Sequence, residues 1–141
     1  MTRKQMVTAW ILRLLGLAAM FAIVAVFMPM PWMAAVHKYL GLGEMPEGPI
    51  VEYMARSLSA AYVALGFILW HVSFRVAENL RLVRLLGVAF TLLGAVLWWI
   101  DVKAGMPMAW ILQEGPPAIL AGLWIIYSCR EGASDGPSAG Q

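Results

Sequence analysis

Four long apolar stretches, separated by short polar segments, dominate the pattern of this chain. They lie at residues 10–28, 50–74, 85–102 and 108–129. Each can reach the roughly 20 residues that an α-helix needs to cross a bilayer. The pattern therefore predicts an all-α fold, a four-transmembrane-helix bundle with helices at about residues 7–28, 50–74, 84–102 and 108–129.

The polar segments predict the connections between these helices. After the first span, Pro31 suits the first turn of a helix, and Met33, Val36 and Leu40 recur at helical spacing. We expect a short helix at residues 32–40, lying in the membrane interface and ended by Gly41. Residues 1–130 are expected to form one domain, and the polar residues 131–141 a disordered cytoplasmic tail.

Composition and charge place most of this chain in lipid. Hydrophobic residues make up 62% and charged residues 13%, with a mean hydropathy of +0.76, whereas soluble domains have about 25% charged residues. Seven Lys and Arg residues flank one side of the predicted spans and two occupy the loops of the other side. The positive-inside rule then predicts that both termini are cytoplasmic and that the 31–49 loop is external.

Several classes of function are disfavoured by the same residues. No basic patch is interleaved with aromatic residues, so a nucleic-acid partner is not expected. Cys129 is the only cysteine, which excludes an internal disulfide, a CxxC redox pair and a thiolate zinc site. No metal-binding, phosphate-binding or nucleophilic motif is present, so we expect no metal and no cofactor.

Three short motifs recur in the same order and suggest an internal repeat. RLLGLA at residues 13–18 matches RLLGVA at 84–89, MPMPW at 28–32 matches MPMAW at 106–110, and EGP occurs at 47–49 and at 114–116. A duplication would give two helical hairpins of the same orientation, related by an axis along the membrane normal. The unequal offsets require loops of different length in the two halves.

Charged residues inside the apolar stretches are the candidates for a site. At 1.5 Å per residue, Arg56 and Glu114 lie at a similar depth in the outer leaflet, with Asp101 and Glu52 just above. A buried charge in a membrane usually faces a partner or a cavity. The pattern predicts that Arg56 and Glu114 pair, either as a structural salt bridge or as part of a ligand site that includes Tyr62.

The stripes that carry these charges also contain small residues. Glu52, Arg56, Ser59, Val63, Gly66 and Trp70 share one face of the second helix, and Gly87, Thr91, Gly94, Trp98 and Asp101 share one face of the third. Small residues allow close helix packing in lipid. The stripes therefore predict packing seams with a charge at the outer end.

The segment Gly115–Pro116–Pro117 predicts a break or bend in the fourth helix. Proline has no N–H, so the carbonyls of Leu112 and Gln113 lose their helical donors. Unpaired backbone is tolerated in lipid only where it is buried in protein or lines a cavity. We therefore expect a polar pocket at Glu114.

The runs EYMARSLSAAY, IDVKAGMP and WILQEGP resemble those of an uncharacterised family of small bacterial four-helix membrane proteins. The resemblance covers about residues 50–124. It implies a multi-pass protein of the bacterial inner membrane and carries no established activity. The layout is also similar, more distantly, to that of DoxX-type proteins.

Three functions stay open at this point. The first is a permease-like or binding module for a small cation, a proton or a lipid-like amphiphile, with Glu114, Arg56, Asp101, Tyr62 and Glu52 as site residues. The second is an accessory or scaffold subunit that docks on a larger membrane complex or on a second copy. The third is a membrane enzyme acting on a lipid-like substrate, which the sequence favours least.

Overall fold

The structure, a computed structural model, describes residues 1–130. These residues form the helices α1 (Arg3–Met20), α2 (Ile23–Phe27), α3 (Met30–Tyr39), α4 (Pro49–Ser73), α5 (Leu80–Ala104) and α6 (Met108–Arg130). No β-strand occurs among them, so the all-α prediction is confirmed. The predicted tail at 131–141 lies outside the described residues.

Four segments are long and apolar enough to cross a membrane: Arg3–Phe27, Pro49–Ser73, Leu80–Ala104 and Met108–Cys129. The second and fourth agree with the predicted spans to within one residue at each end. The first begins four residues early because Thr2 and Gln5 form a capping box. The Gln5 N–H donates to the Thr2 hydroxyl at 3.3 Å, and the Thr2 N–H donates to the Gln5 side chain at 2.9 Å.

Two features of the helices differ from the sequence prediction. The first span is interrupted at Phe21 and Ala22, where the Ala22 N–H reaches back only three residues to Ala19. The third span begins at Leu80 rather than at residue 84, since the Asn79 carbonyl already accepts the Val83 N–H. The interruption of the first span at Phe21 and Ala22 contains no proline or glycine that could have predicted it.

The predicted short helix is confirmed as α3. It begins two residues earlier than expected, at Met30, because the carbonyl of Pro29 accepts the N–H groups of Trp32 and Met33. It ends at Tyr39, and Gly41 follows with a φ of +78°, a conformation that favours glycine. Its location in a membrane interface stays a prediction.

The chain divides into two compact units. One unit is Leu12–His71, which holds the end of α1, α2, α3 and nearly all of α4. The other joins Met1–Ile11 to the chain from Val72 onward, and so holds α5 and α6. The arrangement of all four spans as one bundle stays a prediction.

Glycines bring α1 and α4 together within the Leu12–His71 unit. A Cβ atom on Gly66 would lie 2.7 Å from the Gly16 carbonyl oxygen and 2.7 Å from Cγ of Met20. The two backbones are thus in direct contact, as small residues permit in lipid. The predicted stripe on α4 is confirmed as a packing face, since its members are buried or half-buried.

A longer glycine seam joins α5 and α6 in the other unit. A Cβ atom on Gly94 would lie 2.7 Å from the Gly115 carbonyl oxygen, and one on Gly87 would lie 2.9 Å from that of Gly122. The Thr91 hydroxyl also contacts Gly122. The turn between the helices is short because Gly105 takes the left-handed conformation, with φ of +68°. These two helices therefore form an antiparallel hairpin.

The beginning of α1 packs on the end of α6 in this same unit through polar groups. The buried Thr8 hydroxyl donates to Ser128 Oγ at 2.7 Å, and Ser128 donates to the Ile125 carbonyl at 2.9 Å. Lys4 donates to the Tyr127 hydroxyl at 2.9 Å, with its Nζ 4.4 Å from the ring centre. Each buried hydroxyl thereby has a hydrogen-bond partner, as burial requires.

Two of the three repeated motifs have equivalent local roles. The glycine of each RLLG sequence, Gly16 or Gly87, contacts a glycine of the next long helix. Each MPM sequence begins a helix at its second methionine, after a proline whose carbonyl accepts two helical N–H groups. The EGP motifs differ, since one ends at the first residue of α4 and the other lies inside α6. Duplication of the hairpin stays a prediction.

Candidate functional site

The chain between α2 and α3 has acceptors that it cannot satisfy itself. Pro29 and Pro31 lack N–H groups, and Met28 is extended, with φ of −64° and ψ of +133°. The carbonyls at the end of α2 therefore lose their helical donors, and the C-terminal end of a helix carries partial negative charge. A cationic donor is the group that such an end favours.

Arg56 supplies this donor from α4. Its Nη1 donates to the Val26 carbonyl, its Nη2 donates to the Met28 carbonyl at 3.3 Å, and its Nε donates to Glu52 Oε1 at 2.9 Å. A planar guanidinium carries five N–H donors on three nitrogen atoms, whereas a lysine has all its donors on one nitrogen. Arg56 thus holds the proline-broken chain against α4 and neutralises Glu52.

The sequence missed this role of Arg56. Glu114 was predicted as its partner because both residues lie at a similar depth, yet Arg56 bonds to Glu52 and to backbone carbonyls in its own unit. The pair Pro29 and Pro31 was the available indication, since two prolines at the end of a span leave carbonyls free. The ion pair between Arg56 and Glu114 would join the two units, and it stays a prediction.

A cavity of about 420 Å³ lies beside Glu52, in the same unit. α3, the connection before α4 and the first turn of α4 line it. Its lining residues are Met30, Pro31, Ala34, Glu44, Met45, Pro46, Glu47, Gly48 and Glu52. The side chains of methionine, proline and alanine form apolar walls, while three carboxylates provide the charge.

Two of these three carboxylates have cationic partners. Lys38 Nζ is 2.5 Å from Glu44 Oε1, and Arg56 Nε is 2.9 Å from Glu52 Oε1. Glu47 is exposed and forms no ion pair within residues 1–130. The His37 ring also hydrogen-bonds the Gly43 carbonyl, at 3.1 Å, which helps to shape the connection. Three carboxylates against two cations give the cavity a formal charge of −1.

The other three predicted site residues, Tyr62, Glu114 and Asp101, lie on α4, α6 and α5 respectively. Tyr62 is half-buried on α4. Glu114 is half-buried on α6 and accepts a hydrogen bond from Trp110 Nε1 at 2.6 Å. Asp101 is 6% exposed near the end of α5, and its Oδ2 atom accepts no hydrogen bond from the described residues. The structure thus brings Glu52 and Arg56 together, and the common site for all five residues stays a prediction.

Of the break or bend predicted in α6, the break is wrong, and a bend stays a prediction. The helix runs from Met108 to Arg130 with Pro116 and Pro117 inside it. Proline has a φ compatible with a helix, and the chain on both sides of this segment packs on α5. Gly115 lies so close to α5 that an added Cβ would come 2.6 Å from the Cβ of Trp98. The contact along the seam therefore holds the helix together where two N–H donors are missing.

No three His, Cys, Asp or Glu side chains among residues 1–130 are placed to hold a metal ion. Comparisons of the chain with protein-family models, with curated proteins and with solved structures find no match. The resemblance to small four-helix membrane proteins accordingly stays an expectation.

Proposed function

We propose that this chain is a multi-pass protein of the bacterial inner membrane that binds a small cationic amphiphile in the cavity beside Glu52. The observation that carries the proposal is the combination of apolar walls and an excess of carboxylate in one cavity. Its volume of about 420 Å³ is in the range of small-molecule sites.

The cavity favours a ligand with one positive charge and a short apolar part. A cationic head placed near Glu47 would balance the formal charge of −1, and an alkyl group would contact Met30, Met45 and Pro46. An anionic ligand of the same length would meet uncompensated repulsion. With the positive-inside topology, the cavity opens to the outer side of the membrane, because α3 and the connection to α4 belong to the external loop.

Binding of octyltrimethylammonium to the full chain in a nonionic detergent tests this function, with octyl sulfonate as the anionic probe of equal length. Isothermal titration calorimetry should detect binding of the cation and no binding of the sulfonate. Glu47→Gln should weaken the affinity for the cation about fivefold, since an exposed charge pair contributes about 1 kcal/mol to the binding free energy. Glu78→Gln is the matched control, because Glu78 is exposed and does not line the cavity.

Equal binding of both probes, or an identical affinity in Glu47→Gln, would contradict the proposal. Absence of binding by either probe would favour the accessory-subunit interpretation instead. The membrane enzyme has no support from the described residues beyond the carboxylates themselves.

A further inference from the structure

The connection that lines the cavity beside Glu52 has a carboxylate at each end and apolar residues between them. Its sequence is Glu44–Met45–Pro46–Glu47, and all four residues line the cavity. An extended chain spans about 3.4 Å per residue, so the Cα atoms of the two glutamates are at most about 10 Å apart. Such a segment is complementary to a ligand that carries a cation at each end of a short alkyl chain.

A cation of the chain itself already occupies one of these two ends. Lys38, in the last turn of α3, donates from Nζ to Glu44 Oε1 at 2.5 Å. The neighbouring His37 ring bonds to the Gly43 carbonyl at 3.1 Å, so α3 holds the connection at two adjacent positions. Glu47, at the other end, forms no ion pair within residues 1–130. One carboxylate is therefore neutralised internally, and the other is open to a ligand.

The Lys38 side chain has the same chemistry as the ligand proposed above. It consists of an ammonium group on a flexible stem of four carbon atoms, which makes it a short cationic amphiphile attached to α3. While it bonds to Glu44, a second cationic head at that position meets a like charge instead of a free carboxylate. A ligand with a single cation avoids this repulsion by placing its head near Glu47.

We propose that Lys38 determines the specificity of the cavity by selecting ligands with one cation over ligands with two. The inference rests on the proposed function, since it concerns the same cavity. Lys38 occupies the Glu44 end as an internal competitor, so only the Glu47 end accepts an external cation. Without Lys38, both ends of the connection are open, and the formal charge of the cavity changes from −1 to −2.

The affinities of the full chain for two probes test this assignment. Octyltrimethylammonium carries one cation and 1,6-bis(trimethylammonio)hexane carries two, and isothermal titration calorimetry in a nonionic detergent measures both dissociation constants. Lys38→Met should raise the affinity for the dication relative to the monocation about fivefold, the effect of about one exposed charge pair. Lys103→Met is the matched control and should keep the wild-type ratio, because Lys103 is exposed on α5 and does not line the cavity.

The double substitution Lys38→Met with Glu44→Gln separates the effect of charge from that of shape. The two side chains are 68% and 81% exposed, so neither variant disturbs a packed core. The double variant lacks the ion pair, as Lys38→Met does, yet the formal charge of its cavity is again −1. Its affinity ratio should therefore return to the wild-type value. A ratio raised equally in the single and double variants would overturn the proposal, because the ion pair would then act through the shape of the connection.

An unchanged affinity ratio in Lys38→Met would also overturn the proposal. Binding of octyltrimethylammonium by the wild-type protein would in that case leave the proposed function standing. Binding of neither probe by the wild-type protein would overturn the proposed function and this inference together.

Discussion

At the scale of single residues, the guanidinium group of Arg56 makes three hydrogen bonds. It meets two backbone carbonyls and one carboxylate, from three different parts of the Leu12–His71 unit. The two carbonyls need a donor because α2 ends at Phe27 and the chain is extended at Met28, so neither carbonyl has a helical N–H within reach. One side chain therefore determines how the end of the first span is joined to α4.

Replacement of Arg56 by methionine should lower the free energy of unfolding by about 1–3 kcal/mol, because the Val26 and Met28 carbonyls and Glu52 lose their donor together. Arg56→Lys should recover part of this loss, since an ammonium group cannot reach three acceptors at once. Unfolding of the purified protein in mixed micelles measures both changes.

Arg75→Met provides the control for this prediction. Arg75 and Glu78 are 3.7 Å apart with side chains 65% and 68% exposed, so the loss of that pair should change stability by less than about 1 kcal/mol. Equal effects at positions 56 and 75 would show that Arg56 does not stabilise the broken helix end.

Whole helices in this protein meet through glycines, and the α5–α6 hairpin is the clearest case. Gly87, Gly94, Gly115 and Gly122 are all buried, and each has backbone atoms of the facing helix where a Cβ would be. Lipid provides little hydrophobic driving force between helices, so close packing must supply the stability of the seam. The hairpin should therefore be sensitive to a single added methyl group.

Gly94→Ala should destabilise the hairpin by about 1–3 kcal/mol, because its Cβ would lie 2.7 Å from the Gly115 carbonyl oxygen and 2.8 Å from the Ile119 nitrogen. The neighbouring substitution Ala95→Leu adds more volume on an exposed face and should have little effect. Chemical unfolding in micelles measures the free energy of unfolding of both variants. A larger loss of this free energy in Ala95→Leu than in Gly94→Ala would refute the seam as the source of stability.

The double substitution Pro116→Ala and Pro117→Ala should stabilise α6. It restores N–H donors to the Leu112 and Gln113 carbonyls, and a proline inside a helix costs up to about 3 kcal/mol relative to alanine. Hydrogen exchange at residues 116 and 117, together with thermal unfolding, should report protected amides and a higher Tm. A lower Tm would mean that these two carbonyls already have hydrogen-bond partners in the wild-type protein. The new helical N–H groups would then replace favourable contacts.

Topology is a property of the whole molecule, and the distribution of Lys and Arg predicts it. Seven of them flank the predicted inner side, against Lys38 and Lys103 in the outer loops. A green fluorescent protein fused to the C-terminus should be bright, and an alkaline phosphatase fused there should be inactive. An active phosphatase at the C-terminus would reverse the orientation, and the cavity beside Glu52 would then face the cytoplasm.

The sequence by itself determined the helical fold, the bounds of the second and fourth long apolar helices and the packing faces. Apolar runs and glycine spacing are local properties, and a helix displays them regardless of its neighbours. The seam through Gly87 and Gly94 could therefore be read directly. The same reasoning placed α3 within two residues.

Only the tertiary structure decided which groups the charged residues bind and whether Pro116 and Pro117 break α6. Depth along a helix does not tell which neighbour a side chain faces, so Arg56 could not be assigned to the carbonyls of Val26 and Met28. Propensity predicted a break at Pro116, and packing of Gly115 on Trp98 outweighed it. Both outcomes depend on atoms that are distant in sequence and adjacent in space, which local periodicity does not report.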